Sequence, residues 1–231
     1  MPVKTIKVAI ADESFLFAKI LKNYLMEHSR IQVNIHAVHF PQLISKLEHL
    51  SADILLTDIL HHKDAIENMK LLKENYPDLK IIILSMCKDM ELINNLLDIG
   101  IYGFISKMDE PEGLIEAILA VSEGKMHRSD IFTDTLYWNV KQASNIYHEG
   151  REIILNTRER RILQLLWEEK SNKEIANEFF LSIKSIEKIR QDLKEKLGVK
   201  STVGLFKYAI GQNIISAGSY ETGRQEVKVR W

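Results

Sequence analysis

Five polar side chains in the first half of the chain stand where they could act together. Asp12 and Glu13 follow the apolar run Lys7-Val8-Ala9-Ile10-Ala11, Asp58 ends the run Asp53 to Thr57, Ser85 ends Lys80 to Ser85, and Lys107 follows Gly103 to Ile105. Clustered carboxylates repel one another unless a cation intervenes, and hard oxygen ligands suit a magnesium ion that keeps most of its waters. A phosphoryl group could then bridge metal and lysine. In that chemistry Asp58 is the nucleophile that forms an aspartyl phosphate, Mg2+ and Lys107 neutralise the phosphoryl oxygens, and Ser85 donates a hydrogen bond. Each residue also has an ordinary reading: a lone Asp after a strand is commonly a cap or turn residue, Ser85 equally caps the helix after it, and Lys107 is equally a solvated loop lysine. What favours the chemical reading is that all five fall at the same end of successive strands.

The elements that must deliver them follow from periodicity. Strands are expected at Lys7 to Ala11, Val33 to Val38, Asp53 to Thr57, Lys80 to Ser85 and Gly103 to Ile105, with helices at about 15–28, 41–50, 64–75, 89–99 and 110–123. Five such βα units with nearly continuous apolar strands predict an α/β fold, a (βα)5 doubly wound parallel sheet covered on both faces, whose sites form at the carboxyl ends of the strands. From Thr157 the pattern is all helix, at 157–168, 172–179, 183–197 and 202–213, an all-α four-helix unit. The boundaries read as a first domain at 1–126, a linker at 127–151 with room for some helix, a helical domain at 152–215 and a polar tail at 216–231.

Charge divides the same way. Residues 1–150 hold 15 Lys+Arg against 21 Asp+Glu and residues 151–231 hold 16 against 11, net charges of -6 and +5. The basic half is the better candidate for a polyanion. No apolar run approaches a membrane span and no leader pattern opens the chain, which predicts a cytoplasmic protein without membrane contact. The single cysteine, Cys87, offers neither a disulfide nor a cysteine-based zinc site, and reads as core filler.

Within the helical half, Ser171 and Glu174 form a capping-box pattern, and Ile186, Ile189, Leu193 and Leu197 fall along one stripe of the next helix. Its other side presents Lys184, Lys188 and Gln191, flanked by Ser185, Glu187 and Arg190, before Gly198 supplies a C-cap. A short helix, a turn and an amphipathic helix with a basic polar face form a helix-turn-helix arrangement, whose second helix enters the major groove of DNA. A surface helix with solvated lysines is the plainer alternative.

The segments "VAIADES", "ILLTDI", "IIILSM" and "GIYGFISKMDEPEGLIEAI" resemble the receiver domain of bacterial two-component response regulators over residues 4–123. "LNTRERRILQLLWEEKSNKEIANEFFLSIKSIEKIRQDLKEKLGVKSTVGLFKYAI" is closely similar to the LuxR-type DNA-binding domain that ends NarL/FixJ-family response regulators. The resemblance implies that Asp12, Glu13 and Asp58 hold Mg2+, that Asp58 is phosphorylated by a sensor histidine kinase, and that Ser85 and Lys107 sense the phosphoryl group. It also implies that Phe104 is the switch aromatic, with a core role as its alternative. Glu187, Lys188 and Gln191 would face bases of double-stranded DNA, with Lys173, Lys184 and Arg190 nearer phosphates. Ile189 replaces a histidine typical of the family, which implies altered packing rather than lost binding. Val203, Phe206 and Ile210 match the family's dimerisation helix, so a homodimer is expected, and core packing is equally open to them.

The sequence departs from receivers after Asp58. The Met-Pro pair and the Asp/Asn-Gly that usually follow are replaced by Leu60, His61, His62, Lys63, Asp64 and Ala65, one residue shorter. Without Pro and Gly that loop loses a fixed φ and a permissive position. Imidazole suits zinc or copper, but His61-His62 has no third ligand nearby and reads as solvated. The expected function is a DNA-binding transcriptional regulator, not an enzyme, controlled by phosphorylation of Asp58. The altered loop supports one rival, an atypical receiver that regulates without phosphorylation. A haloacid-dehalogenase-like phosphatase would need a second Asp two residues beyond Asp58, where Leu60 stands.

Overall fold

The computed structural model describes residues 5–59, 64–143 and 153–215. The first unit runs β1 (Ile6–Ala11), α1 (Phe15–Met26), β2 (Ile31–Ala37), α2 (Phe40–Leu47), β3 (Ile54–Thr57), α3 (Ala65–Asn75), β4 (Lys80–Ser85), α4 (Met90–Ile99), β5 (Gly103–Ser106) and α5 (Pro111–Ser122). The strands pair in parallel in the order β2-β1-β3-β4-β5. This is the doubly wound sheet expected. β2 starts at Ile31 rather than Val33, because Ile31 is buried and pairs with Ile6.

Alternation along the strands splits the apolar side chains between two layers. Val8, Ile10, Ile54, Leu56, Ile82, Leu84 and Ile105 face α1 and α5. Ala9, Ala11, Leu55, Ile81, Ile83 and Phe104 belong to the other layer, which continues without a break into the helical half through Phe132, Leu136, Trp167 and Phe206.

That continuity is made by α6 (Asp130–Ala143), which lies in the segment read as a linker and packs against both α4 and the last helix. The helical unit follows as α7 (Thr157–Trp167), α8 (Asn172–Phe179), α9 (Ile183–Leu197) and α10 (Thr202–Gly211). Each of these helices starts at a capping side chain: Asn156, Ser171, Ser182 and Ser201. Such caps satisfy backbone N–H groups that the first turn leaves without partners.

Polar contacts fasten the two halves beside this shared core. Lys207 of α10, nearly buried, meets Asp98 of α4 at 2.7 and 2.8 Å. Arg128 bonds Glu169 at 3.2 Å and stacks 4.0 Å from the Trp167 ring, and Lys125 lies 3.3 Å from Glu174. Burial lowers the Arg128 pKa to about 10 against the opposing charge and hydrogen bond of Glu169. Among the described residues, no helix is long and apolar enough to cross a membrane.

Candidate functional sites: the acidic sheet edge and the exposed face of α9

The ends of β1, β3 and β5 meet as their register requires. Asp58 N–H donates to the Ala11 carbonyl at 3.1 Å, and Lys107 N–H donates to the Ser85 carbonyl at 3.2 Å. These backbone bonds place Asp12, Asp58, Ser85 and Lys107 at one edge. The Lys107 ammonium donates to Asp12 Oδ2 and to Asp58 Oδ2, each at 2.6 Å, and sits 4.5 Å from the centre of the Phe17 ring. Burial works against the Lys107 charge, but the hydrogen bonds to Asp12 and Asp58 and the charge of both carboxylates outweigh it, raising the pKa above that of an ordinary lysine.

The remaining carboxylate oxygens are committed elsewhere. Asp12 Oδ1 accepts from Ser14 N–H at 2.8 Å, and Asp58 Oδ1 accepts from Ile59 N–H at 2.7 Å. Each side chain is thereby locked with Oδ2 pointing at the shared cation. Asp12 is 4% exposed and Asp58 26%, so Asp58 is the one a reactant can reach.

The structure groups the metal candidates unequally. Two hard oxygens, on Asp12 and Asp58, converge on the Lys107 ammonium, and together with water such oxygens would suit a magnesium ion. Glu13 is exposed, and among the described residues no three carboxylate, imidazole or thiol groups form a cluster that could hold a metal. Ser85 is buried, its Oγ accepting from Cys87 N–H at 3.3 Å. Phe104 is fully buried, and its carbonyl accepts a hydrogen bond from the Ser129 hydroxyl, which also caps α6. Leu60 to Lys63, including His61 and His62, lie outside the described residues.

The helix-turn-helix is built around Phe180, which takes the left-handed conformation (φ 54°) that turns the chain from α8 to α9. Ile186 and Leu193 are buried and Ile189 packs partly buried against the same core, so the stripe is real. On the other side Lys184, Glu187, Lys188 and Gln191 are exposed, as is Lys173 on α8. Arg190 is placed differently. Its guanidinium is half-buried and donates to Asn172 Oδ1 and to Thr202 Oγ1, joining α8, α9 and α10. Burial lowers its pKa from the ordinary arginine value.

Val203, Phe206 and Ile210 are buried within this chain, Phe206 edge-on to Trp167 at 5.3 Å. Because α10 also lies against α4 and α6, the receiver half covers the helix read as a dimerisation element and leaves the reading face of α9 open. Periodicity did not distinguish Arg190 from its exposed neighbours, and it gave no sign of the Lys207–Asp98 pair.

Comparison with known proteins agrees with both halves. Residues 8–119 match the response regulator receiver domain, and residues 154–209 match the bacterial regulatory proteins of the luxR family. The chain is 30% identical to the oxygen regulatory protein NreC of Staphylococcus epidermidis, over 90% of this chain and 99% of that one. The chain belongs to the NarL/FixJ family of transcriptional response regulators. Among solved structures, the RcsB response regulator of Salmonella typhimurium aligns at 27% identity and a TM-score of 0.55, covering 90% of this chain and 99% of that one. RcsB of Salmonella enterica serovar Typhimurium, bound to promoter rprA in the presence of phosphomimetic BeF3-, aligns at 25% identity and a TM-score of 0.54, over 90% and 100% of the two chains. A further structure holds two RcsB dimers bound to two parallel DNAs, at 26% identity and a TM-score of 0.55, over 90% of this chain and 99% of that one. In this regulator the receiver is thus the acidic, sheet-bearing half and the luxR-type domain the basic, helical one.

Proposed function

We propose that this regulator binds double-stranded DNA as a homodimer through α9 and that phosphorylation of Asp58 by a sensor histidine kinase controls it. The observation that carries the reading is the Lys107 ammonium held 2.6 Å from one oxygen of Asp12 and one of Asp58. In the transfer, Asp58 Oδ2 attacks the phosphorus of the kinase phosphohistidine, the P–N bond breaks and the imidazole leaves with that electron pair. Lys107 then pairs with a phosphoryl oxygen, and the buried Ser85 hydroxyl turns from its Cys87 contact to donate to another. Mg2+, when bound by Asp12 and Asp58, supplies further neutralisation of the phosphoryl charge. Glu13, from its exposed position, would act on that ion through its water shell.

The change reaches the DNA-binding half through β5. Phe104 is the residue whose carbonyl holds Ser129, and Ser129 starts α6, which packs on α4 and α10. Displacing β5 loosens α6 and so frees α10, whose Val203, Phe206 and Ile210 side is then available for a second copy. On DNA, Glu187, Lys188 and Gln191 face bases, Lys173 and Lys184 pair with phosphates, and Arg190 supports them from within the scaffold.

Incubation with acetyl phosphate and Mg2+ followed by intact mass measurement tests the chemistry. One added phosphoryl group is expected, and it should disappear when EDTA replaces Mg2+. An unlabelled wild-type protein would favour a receiver that works without phosphorylation.

A further inference from the structure

Between the two halves lies a second polar site. A cavity of about 260 Å3 is lined by Lys73 and Tyr102 from the receiver and by Lys194, Lys200, Ser201 and Thr202 from the DNA-binding domain. Lys194 and Lys200 pair with no carboxylate among the described residues, and Arg190 stands just behind, bonded to Thr202. Lys73 makes two long hydrogen bonds to uncharged groups, the Pro77 and Leu79 carbonyls at 3.3 Å, while its charge lies 5.8 Å from the Tyr102 ring. The acids in the neighbourhood are Asp78, which faces Lys73, Glu187, which faces Arg190, and Glu74 and Asp98 in the adjoining hollow beside Lys73 and Lys200, Asp98 being taken by Lys207. Cations from two domains therefore outnumber their counter-charges around one space.

We propose that this cavity binds a compact polyanion of the pyrophosphate or small phosphate-ester class, held by lysines of both domains at once. The volume is below the roughly 300–1,000 Å3 of sites for drug-sized ligands, which suits a small, highly charged group rather than a dinucleotide. The lysines supply charge-assisted donors, and the Ser201 end of α10 adds the positive end of a helix. The electrostatic balance is consistent with this. Burial lowers the Lys194 pKa, with Arg190 adding to the effect. Burial also lowers that of Lys73, where Asp78 opposes and Lys194 adds. A bound dianion would reverse this crowding and favour the ammonium forms. The site stands apart from Asp58, but because both halves line it, the release of α10 proposed above would open it.

The test is calorimetric titration of the full-length protein with inorganic pyrophosphate. Saturable binding is expected. It should weaken about tenfold or more, a loss of about 1.4 kcal/mol, in each of Lys194→Gln, Lys200→Gln and Lys73→Gln. The Lys184→Gln/Lys188→Gln double variant serves as control and should bind as wild type. Lys200 is exposed, so its substitution leaves folding intact, and Lys73→Met, which keeps the aliphatic stem, tests the receiver's share if Lys73→Gln is unstable. No saturable binding would overturn the proposal. So would a loss that follows Lys184 and Lys188, which would put the anion on the DNA-reading face. If Lys194 and Lys200 matter while a folded Lys73→Gln variant binds normally, the claim that both domains hold the anion is wrong.

Discussion

The two working surfaces of this molecule are built on opposite plans. At the sheet edge, backbone bonds between strands place Asp12, Asp58, Ser85 and Lys107, both Asp carboxylates are locked by a neighbouring N–H, and one ammonium joins them. On α9 the side chains that would touch DNA are exposed, Gln191 bonding only to Glu195 of its own helix, while Arg190, beneath them, is tied to two other helices. Phosphoryl transfer gains from groups set in place before the reactant arrives, because the barrier then includes little reorganisation. DNA recognition tolerates mobile side chains, because phosphates position the helix and the base contacts form on arrival.

Substitutions that act on one plan and spare the other test this contrast. The largest expected effect is at Asp58, where Asn removes the nucleophile. Asp58→Asn should take up no phosphoryl group by intact mass while its thermal melt stays near that of wild type. On the helical side Arg190→Ala should lower stability by about 1.5–3 kcal/mol, seen as a lower urea midpoint, because it leaves Asn172 and Thr202 without their donor. Lys188→Ala should do the reverse, leaving the urea midpoint unchanged and weakening DNA affinity by about 1–3 kcal/mol. If Arg190→Ala melts as wild type and loses only DNA affinity, Arg190 contacts DNA and the division between reading face and scaffold fails.

Lys107→Ala should destabilise the receiver by about 1–3 kcal/mol, since Asp12 and Asp58 lose their common cation. The native pKa of Lys107 is raised above its ordinary 10.5, so the charged form is the one the fold favours. Its contribution is therefore complete below pH 10.5 and is lost as pH rises through the raised value. The stability gap between wild type and Lys107→Ala should be flat near neutrality and close in strong alkali.

The smallest effect is at the α8 capping box. The Ser171 backbone and hydroxyl and the nearby Lys125 charge lower the Glu174 pKa from 4.5 to about 2, despite some burial. A depressed carboxylate stabilises above its unfolded pKa and ceases to do so as pH falls through the folded one. Glu174→Gln should therefore lose a small stabilisation that wild type keeps above pH 4.5, pH 7 included, and its gap to wild type should close as pH falls from 4.5 to about 2.

Much of this was legible in the sequence, for reasons particular to each element. Parallel strands buried on both faces must be apolar throughout, so their ends, and with them Asp12, Asp58, Ser85 and Lys107, could be located without coordinates. The stripe Ile186, Ile189, Leu193 on α9 was equally plain at helical period. Arg190 was not, because it flanks that stripe and its direction is set by Asn172 and Thr202, which belong to other helices. Nor was the relation of the halves. Lys207 and Asp98 are far apart in sequence and read singly as surface charges, yet they pair where α10 meets α4. α6 was seen only as room for helix, since its apolar residues serve both halves and no single face stands out. Glu13 shows the opposite limit, being adjacent to Asp12 in sequence yet exposed while Asp12 is buried.

On the function proposed above, chemistry at the sheet edge governs what α9 and α10 do. Fluorescence anisotropy tests it most directly, on a DNA duplex selected by the protein from a random pool. Affinity would be measured for wild type and Asp58→Asn, each with and without acetyl phosphate and Mg2+. The phosphoryl donor should tighten binding of wild type and leave Asp58→Asn unchanged. Equal affinities in all four measurements would contradict it.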